Sequence, residues 1–281
     1  ILNFFKSRDF KIIKRAKALG LITNNTKCIA IAGTHGKTTT SSILAHLMLE
    51  SNQKLTAFLG GVSENYKSNF IQNGCDYTVV EADEFDRSFL ELKPDLACIT
   101  SIDADHLDIY GNETKLINAF KEFSNLLPTK NKLFVHDSVN LPGLSYGVGT
   151  STDYSAQNLS IHNGTYVFDL KTPKTIFKGL KFSIPGRHNL CNAIVAFAMA
   201  LESGCSYVNL RSALESYRGV KRRFSYKIKT DDFVLTNISA MFTNKGVETL
   251  IAAYGILKKK NKNLKLILKD QSTLYDKKAN E

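Results

Sequence analysis

One short segment constrains the fold of this chain more than any other part of the sequence. Residues 28–40 read Cys-Ile-Ala-Ile-Ala-Gly-Thr-His-Gly-Lys-Thr-Thr-Thr, so an apolar run leads directly into glycines, a lysine and hydroxyl side chains. Gly33 and Gly36 allow the backbone to turn sharply and to bring its N–H groups against phosphate oxygens. Lys37 adds a positive charge at the same place. The pattern predicts a buried strand that is followed by a phosphate-binding loop.

A helix is expected directly after this loop, because residues 42–49 are mostly apolar and have helical periodicity. Phosphates bound by the loop would then lie at a helix N-terminus, which carries a partial positive charge. In such a loop Thr38 or Thr39 can hold Mg²⁺. The spacing departs from the common rule, which places a glycine five residues before Gly36, where this chain has Ile31. A plain glycine turn is the alternative, but the order of strand, turn, Lys-Thr pair and helix favours the phosphate loop.

The overall composition is that of a globular protein with room for one large domain or two ordinary ones. The chain has 281 residues, of which 43% are hydrophobic. Its apolar runs are too short to cross a bilayer, and its first residues lack the cleavage site of a secretory signal. We therefore expect a cytoplasmic protein without membrane insertion. Five cysteines without C-x-x-C spacing indicate reduced core residues, not a metal site or a disulfide framework.

The formal net charge of +11 raises the question of nucleic-acid binding. The excess is unevenly spread, because residues 236–281 contain nine lysines and only four acidic residues. The basic run at 258–262 follows a helical pattern, where cations interact favourably with the helix dipole and stay solvated. Because no recognition motif accompanies the charge, we expect no nucleic-acid partner.

Apolar runs of β type alternate with helical patterns after the loop. The β-type runs cover 77–80, 96–100 and 133–135, and a helical stretch covers 113–127. This alternation predicts an α/β fold, with a mostly parallel sheet flanked by helices on both faces. Ligands of such sheets bind beyond the carboxyl ends of the strands.

A small antiparallel β addition is expected at 154–184, where alternating segments flank an Asn-Gly turn at 163–164. Two further helices should follow it, at about 188–203 and 206–217.

Acidic side chains follow two of the expected parallel strands. Glu81 is the first carboxylate of Glu-Ala-Asp-Glu at 81–84, and residues 103–106 read Asp-Ala-Asp-His. Carboxylate oxygens together with phosphates suit Mg²⁺, so Glu81 is the strongest ligand candidate. His106 can bind a second metal or touch a transferred phosphoryl group. A solvated acidic loop and an ordinary polar histidine are the alternatives.

Two later segments add polar side chains that suit a nucleotide. His188 and Asn192, four residues apart, share one face of the expected helix and can flank a base. Asn189 fits equally well as a helix-start residue. Arg222 and Arg223 follow the second helix, where a guanidinium can hold phosphate charge during transfer, although alone they indicate only a basic turn.

Taken together, these segments resemble the Mur ligase family. The resemblance covers residues 1–235 and rests on five motifs in this order: Gly-Thr-His-Gly-Lys-Thr-Thr at 33–39, Glu-Ala-Asp-Glu at 81–84, Asp-Ala-Asp-His at 103–106, Gly-Arg-His-Asn at 186–189 with Asn192, and Arg-Arg-Phe at 222–224. It implies that ATP and Mg²⁺ are the cofactors. The residues that it implies for binding ATP are Gly33, Thr34, His35, Gly36, Lys37, Thr38, Thr39, His188, Asn192 and Arg222. Those that it implies for binding the metals are Thr38, Glu81 and His106. Those that it implies for acting on the transferred group are Lys37, His106 and Arg223.

The same resemblance implies an ATP-dependent amide ligase of peptidoglycan precursor synthesis. Members of the family activate a carboxylate as an acyl phosphate, which the amine of an amino acid attacks to give an amide, ADP and phosphate. The implied small-molecule substrates are UDP-N-acetylmuramate, L-alanine and ATP. A ligase that recycles murein peptides is the alternative within the family, and a glycosyltransferase or a non-catalytic nucleotide-binding module is the alternative outside it.

The implied domain layout is incomplete. Residues 1–25 resemble the linker from an N-terminal domain, 26–220 the central ATP-binding domain and 221–235 the start of a C-terminal domain. From about 237 to 275 the chain instead resembles a fragment of a glycosyltransferase with two Rossmann-like domains, which predicts an incomplete extra α/β segment at 236–281. We expect either a fused reading frame or a divergent C-terminal domain there, and an inactive ligase when the chain is alone.

Overall fold

A ten-stranded sheet forms the centre of the first of two compact units, which cover residues 1–225 and 226–281. The computed structural model describes residues 12–103, 110–149, 151–221, 234–238 and 265–269, together with residues 4, 7, 8 and 10. The strands of the sheet are β1 (Lys27–Ala32), β2 (Leu55–Phe58), β3 (Phe70–Gln72), β4 (Tyr77–Ala82), β5 (Leu96–Ile99), β6 (Leu133–His136), β7 (Leu144–Val148), β8 (Tyr154–His162), β9 (Thr165–Lys171) and β10 (Ile176–Phe182).

Most neighbouring strands of this sheet run parallel. Their spatial order is β10-β9-β8-β7-β6-β5-β1-β4-β2-β3. The six pairs from β8 to β2 are parallel, whereas β2 with β3, β8 with β9 and β9 with β10 are antiparallel. The predicted α/β fold class is therefore confirmed. The sequence analysis missed β2, β3 and β7, which have only three to five residues and are too short to show a clear period.

Helices cover both faces of the sheet. They are α1 (Arg15–Thr23), α2 (Lys37–Glu50), α3 (Glu113–Ser124), α4 (Arg187–Glu202) and α5 (Tyr207–Ser216). Successive side chains of a strand point to opposite faces of the sheet. The side chains of β1 are therefore shared between two apolar cores, one on each face. Ile29 and Ile31 pack in the core that contains α2, α4 and α5, and Cys28, Ala30 and Ala32 pack in the core that contains α3. Burial on both faces explains why β1 is a continuous apolar run and not an alternating one.

Side-chain caps account for where two of these helices begin. The Asn112 side chain accepts a hydrogen bond from the Lys115 N–H at 2.9 Å, and Ser206 caps α5 in the same way through Asn209 at 3.4 Å. The bounds of α4 and α5 lie within one residue of those predicted, and α3 ends three residues before the predicted end.

The predicted antiparallel addition is confirmed at one edge of the sheet. β8 and β9 form a hairpin, and β10 pairs with β9. Both turn residues have positive φ, 49° at Asn163 and 78° at Gly164. Such a turn matches the right-handed twist of the strands that it joins, which is why Asn-Gly signals a hairpin in sequence.

The described part of the second unit is a pair of parallel strands, β11 (Val234–Ile238) and β12 (Lys265–Lys269). Apolar segments at 233–235 and 264–268 predict strands at about these places. A parallel pair needs a crossover connection. The pattern at about 245–260 predicts a helix for it, and these positions lie outside the described residues. The resemblance of this segment to a glycosyltransferase stays a prediction.

Four of the five cysteines, Cys28, Cys98, Cys191 and Cys205, are free and buried, as predicted for core residues, whereas Cys75 is free and exposed. In the part of the chain that the structure describes, no helix is both long and apolar enough to cross a membrane.

A buried histidine connects the helix after the phosphate loop to α5. His46 lies on α2 and is 2% exposed. Its Nδ1 is 2.8 Å from the Tyr66 hydroxyl, and its Nε2 is 2.9 Å from the Ala213 carbonyl oxygen and 3.0 Å from the Ser216 hydroxyl. A neutral ring that donates from Nε2 and accepts at Nδ1 satisfies both sides, and burial lowers the pKa of His46.

We expect this histidine to make stability depend on pH. Because its pKa is lower in the folded protein than the unfolded value of 6.5, protonation favours the unfolded state, and stability is lost as the pH falls below that value. Between about pH 7.5 and pH 5.5, the free energy of unfolding should fall by about 1 kcal/mol more in the parent than in His46→Gln. Denaturant unfolding at both pH values measures this difference. An equal pH dependence in the two proteins would contradict the conclusion that the pKa of His46 is lowered in the folded protein.

Candidate functional site

The phosphate loop follows β1 at the carboxyl edge of the sheet. Gly33 and Gly36 have φ values of 127° and 86°, and Gly36 is the N-cap of α2. A Cβ atom on Gly33 would lie 2.2 Å from Thr100 Oγ1 and 2.8 Å from the Ser101 nitrogen. Glycine is therefore required at position 33 both by the backbone conformation and by the close approach of the segment after β5.

The segment after β5 holds the loop in place. The Thr34 N–H donates to the Ser101 carbonyl oxygen at 3.1 Å, and the His35 N–H donates to the Ser101 hydroxyl at 3.0 Å. The Asp103 N–H donates in turn to Thr34 Oγ1 at 3.0 Å, and Thr100 Oγ1 donates to the carbonyl oxygens of Ala32 and His35. These contacts are possible because β5 is the parallel neighbour of β1, so the two strands end side by side.

Lys37 is the first residue of α2 and is largely buried, with a side-chain exposure of 16%. Its Nζ donates to the Gly33 carbonyl oxygen at 2.7 Å and to Glu84 Oε2 at 2.6 Å. The ammonium is thus held across the mouth of the loop, between the glycine turn and the segment after β4.

Glu81 lies on β4, the other parallel neighbour of β1, and its carboxylate faces the start of α2. It accepts hydrogen bonds from Thr38 Oγ1 at 3.0 Å, from Ser41 Oγ at 3.2 Å and from the Gly60 N–H. The donor set at this place consists of a carboxylate and hydroxyl oxygens, which is the chemistry that Mg²⁺ prefers. The described residues contain no cluster of three or more His, Cys, Asp or Glu side chains that could hold a metal alone. The set fits an Mg²⁺ ion that takes its remaining ligands from phosphates and water.

A cavity of about 260 Å³ opens beside the loop and brings it together with the start of α4. The cavity is lined by His35, Gly36, Thr39, Ile184, His188, Asn189, Asn192, Tyr217, Gly219 and Val220. A Cβ atom on Gly36 would lie 2.7 Å from Asn192 Oδ1, which shows how closely α4 approaches the loop. His188 and Asn192 share the cavity-facing side of the helix, as their spacing predicts.

Asn189 lies in the first turn of α4 and also faces the cavity. Its side-chain amide donates to the Pro185 carbonyl oxygen at 2.6 Å, which stabilises the start of α4.

The structure brings most of the predicted site residues to one edge of the sheet. The loop residues 33–39, Glu81, His188 and Asn192 lie together there. The side chains of Thr38 and Thr39, the two candidate Mg²⁺ ligands of the loop, have different neighbours. Thr38 contacts Glu81, whereas Thr39 lines the cavity. The positions of His106, Arg222 and Arg223 lie outside the described residues.

Several residues at this edge were not predicted to belong to the site. Glu84, Ser41 and Gly60 contact Lys37 or Glu81, and Tyr217 and Val220 line the cavity. The acidic cluster at 81–84 contains a signal for Glu84, because a strand end places all of its carboxylates near the loop. Ser41 lies one turn after Lys37 on α2, whereas Gly60, Tyr217 and Val220 come from distant parts of the chain, and no local pattern marks them.

The sequence matches the Mur ligase middle domain over residues 31–200. This span contains the phosphate loop, Glu81 and the start of α4, and it ends before Arg222 and Arg223.

Two named relatives match a larger part of the chain. The UDP-N-acetylmuramate–L-alanine ligase of Christiangramia forsetii is 56% identical over 233 residues, which are 83% of this chain and 52% of the relative. The ligase of the same name from Flavobacterium psychrophilum is 53% identical over 232 residues, which are again 83% of this chain and 52% of the relative. This chain therefore spans about half the length of the curated relatives that it matches.

A solved structure has the same fold. The crystal structure of UDP-N-acetylmuramate–alanine ligase from Thermotoga maritima matches with a TM-score of 0.70 at 24% identity, and the match covers 90% of this chain and 69% of that chain.

Proposed function

Since this chain belongs to the Mur ligase family through its middle domain, we propose that it supplies the ATP-binding part of an amide ligase of peptidoglycan precursor synthesis. The proposed reaction joins L-alanine to UDP-N-acetylmuramate in the cytoplasm, where ATP is available. The observation that carries the proposal is the high identity to two ligases that are named for this reaction. The convergence of the loop, Glu81 and the α4 cavity at one sheet edge supports it.

The proposed reaction has two steps. The carboxylate of UDP-N-acetylmuramate attacks the γ-phosphorus of ATP, and ADP leaves. The amine of L-alanine then attacks the carbonyl carbon of the acyl phosphate, which forms the amide and releases phosphate and a proton. Neither step needs a covalent bond to the protein, so the chain acts by positioning and by stabilising charge.

The described residues would supply four parts of this site. The cavity lined by His188 and Asn192 would hold the base, the loop N–H groups and the start of α2 would hold the phosphates, and Lys37 would balance charge on the terminal phosphates. Thr38 and Glu81 would hold Mg²⁺. When bound, this ion supplies positive charge for the phosphoryl group during transfer.

The remaining roles follow the family resemblance. We assign His106 to the metal site, Arg222 to the nucleotide and Arg223 to the transferred phosphoryl group. A guanidinium suits the last role because it offers paired N–H donors to phosphate oxygens.

Loss of the loop lysine should abolish most nucleotide binding. We expect the 281-residue chain to bind Mg²⁺–ATP and Lys37→Ala to bind it about tenfold to a hundredfold more weakly, because a charged hydrogen bond to phosphate is lost. Titration calorimetry measures both affinities. Lys181→Ala is the matched control, because Lys181 forms an exposed ion pair with Glu215 and neither residue lines the cavity. Equal ATP affinity in Lys37→Ala and the parent would contradict the phosphate-loop assignment.

The metal assignment is tested separately by Glu81→Gln. This change keeps the size of the side chain and removes its charge, so the apparent affinity for Mg²⁺ in the presence of ATP should fall about tenfold or more. ATP binding without metal should change little. A Mg²⁺ titration that is the same for variant and parent would remove Glu81 from the metal site.

A chimera tests the ligase reaction itself. The matched 233 residues of the Christiangramia forsetii ligase are replaced by those of this chain. We expect the chimera to form the amide and ADP from UDP-N-acetylmuramate, L-alanine and ATP, and to lose this activity on Lys37→Ala, as mass spectrometry of the products can show. A folded chimera that binds ATP but forms no amide would exclude the proposed ligase reaction. The alternative of a non-catalytic nucleotide-binding module would then remain.

A further inference from the structure

Glu84 has a buried carboxylate that the proposed reaction does not yet use. Its side chain is 1% exposed, and Oε2 lies 2.6 Å from Lys37 Nζ. Among the described residues, Oε1 has no hydrogen-bond partner, and Lys37 is the only side chain that pairs with this carboxylate. A buried carboxylate is unfavourable unless it is paired, so the ammonium of Lys37 is essential to Glu84.

The same contact fixes the direction of the ammonium. An ammonium group has three N–H donors and no acceptor. Two donors of Lys37 are engaged, one by the Gly33 carbonyl oxygen at 2.7 Å and one by Glu84. No other described residue engages the third donor, which can reach a phosphate oxygen. A nucleotide can therefore bind without breaking the ion pair and without leaving Glu84 unpaired.

The backbone at Glu84 is itself held in place by Tyr110. The Tyr110 hydroxyl donates to the Glu84 carbonyl oxygen, and this residue is only 4% exposed. Burial raises the pKa of Tyr110 to about 12, so the hydroxyl keeps its proton and remains a donor even well above neutral pH. The carboxylate thus extends from an anchored turn and not from a free loop.

We propose that Glu84 is a positioning residue that orients the Lys37 ammonium toward the phosphates of the bound nucleotide. The inference rests on the proposed function, because it requires a nucleotide in the loop. A Lys–Glu ion pair holds a phosphate-binding lysine in protein kinases by the same principle, on an unrelated fold.

An opposite effect of the carboxylate must be weighed against this one. A negative charge near the phosphates repels them, so Glu84 could instead compete with ATP for Lys37. The burial of the pair decides in favour of positioning. Without the carboxylate, the Gly33 carbonyl oxygen would be the one acceptor for the Lys37 ammonium among the described residues. The long side chain of Lys37 would then turn toward water. ATP binding would then have to return it to the loop.

The test compares Glu84→Gln with the parent in two backgrounds. With Lys37 present, we expect ATP and ADP to bind about tenfold more weakly to Glu84→Gln. AMP, which lacks the phosphates that Lys37 reaches, should bind within about twofold of the parent. In the Lys37→Ala background, Glu84→Gln should no longer weaken ATP binding, because its weakening effect acts through Lys37. Glu215→Gln is the matched control, since it removes a carboxylate from an exposed ion pair.

Each other outcome overturns the proposal. Tighter ATP binding by Glu84→Gln would show that the carboxylate competes with the phosphates. Unchanged binding would show that it does not act on the site, and an equal loss for AMP, or in the Lys37→Ala background, would show general damage. If the parent binds no ATP, the proposed function fails as well, whereas normal ATP binding by the parent with no effect of Glu84→Gln removes this inference alone.

A milder variant keeps the proposal testable if Glu84→Gln does not fold. Tyr110→Phe removes only the hydroxyl that holds the Glu84 carbonyl oxygen. We expect about threefold weaker ATP binding, again absent in the Lys37→Ala background. If Glu84→Gln does not fold, unchanged ATP binding by Tyr110→Phe would overturn the proposal.

Discussion

The close approach of the Gly33 backbone to Thr100 determines where the candidate site can form. No side chain fits between them, since a Cβ atom on Gly33 would lie 2.2 Å from Thr100 Oγ1. The approach is a consequence of the sheet, in which β5 and β4 flank β1 and all three run parallel. Their carboxyl ends therefore deliver the loop, the Thr100-Ser101 segment and Glu81 to one edge. The fold places the N–H groups of the loop and the carboxylates together without any long connection.

Two carboxylates from the same short motif have different surroundings at this edge. Glu81 accepts hydrogen bonds from hydroxyl groups and the Gly60 N–H, and these neighbours bring no positive charge. Glu84 is paired with the Lys37 ammonium in a buried place. A carboxylate among neutral donors keeps its charge available for a cation, whereas one that is paired with an ammonium has its charge already balanced. The proposed division between a metal ligand and a positioning residue follows from this difference.

Much of the fold and part of the site can be predicted from sequence because their signals are local. The run from Cys28 to Ala32, the glycines of the loop and the Asn163-Gly164 turn each restrict the backbone where they occur. Glu81 was predicted because acids after a buried strand lie at the carboxyl edge of a parallel sheet. Glu84 belongs to the same motif, but its proposed role depends on its distance from Lys37. The number of residues between Lys37 and Glu84 in the sequence does not predict that distance. Tyr217 and Val220 approach the loop only because α5 packs beside α2.

By itself, the sequence determined the α/β class, the glycine turn between β1 and α2, the antiparallel addition and the family resemblance. Each depends on neighbouring residues or on the period of a single element, and both can be read from a short stretch of sequence. Only the tertiary structure decided the order of the strands, the cavity between the loop and α4, and the ion pair of Lys37 with Glu84. These features depend on contacts between residues far apart in sequence. Their geometry is set by the packing of whole elements across the sheet.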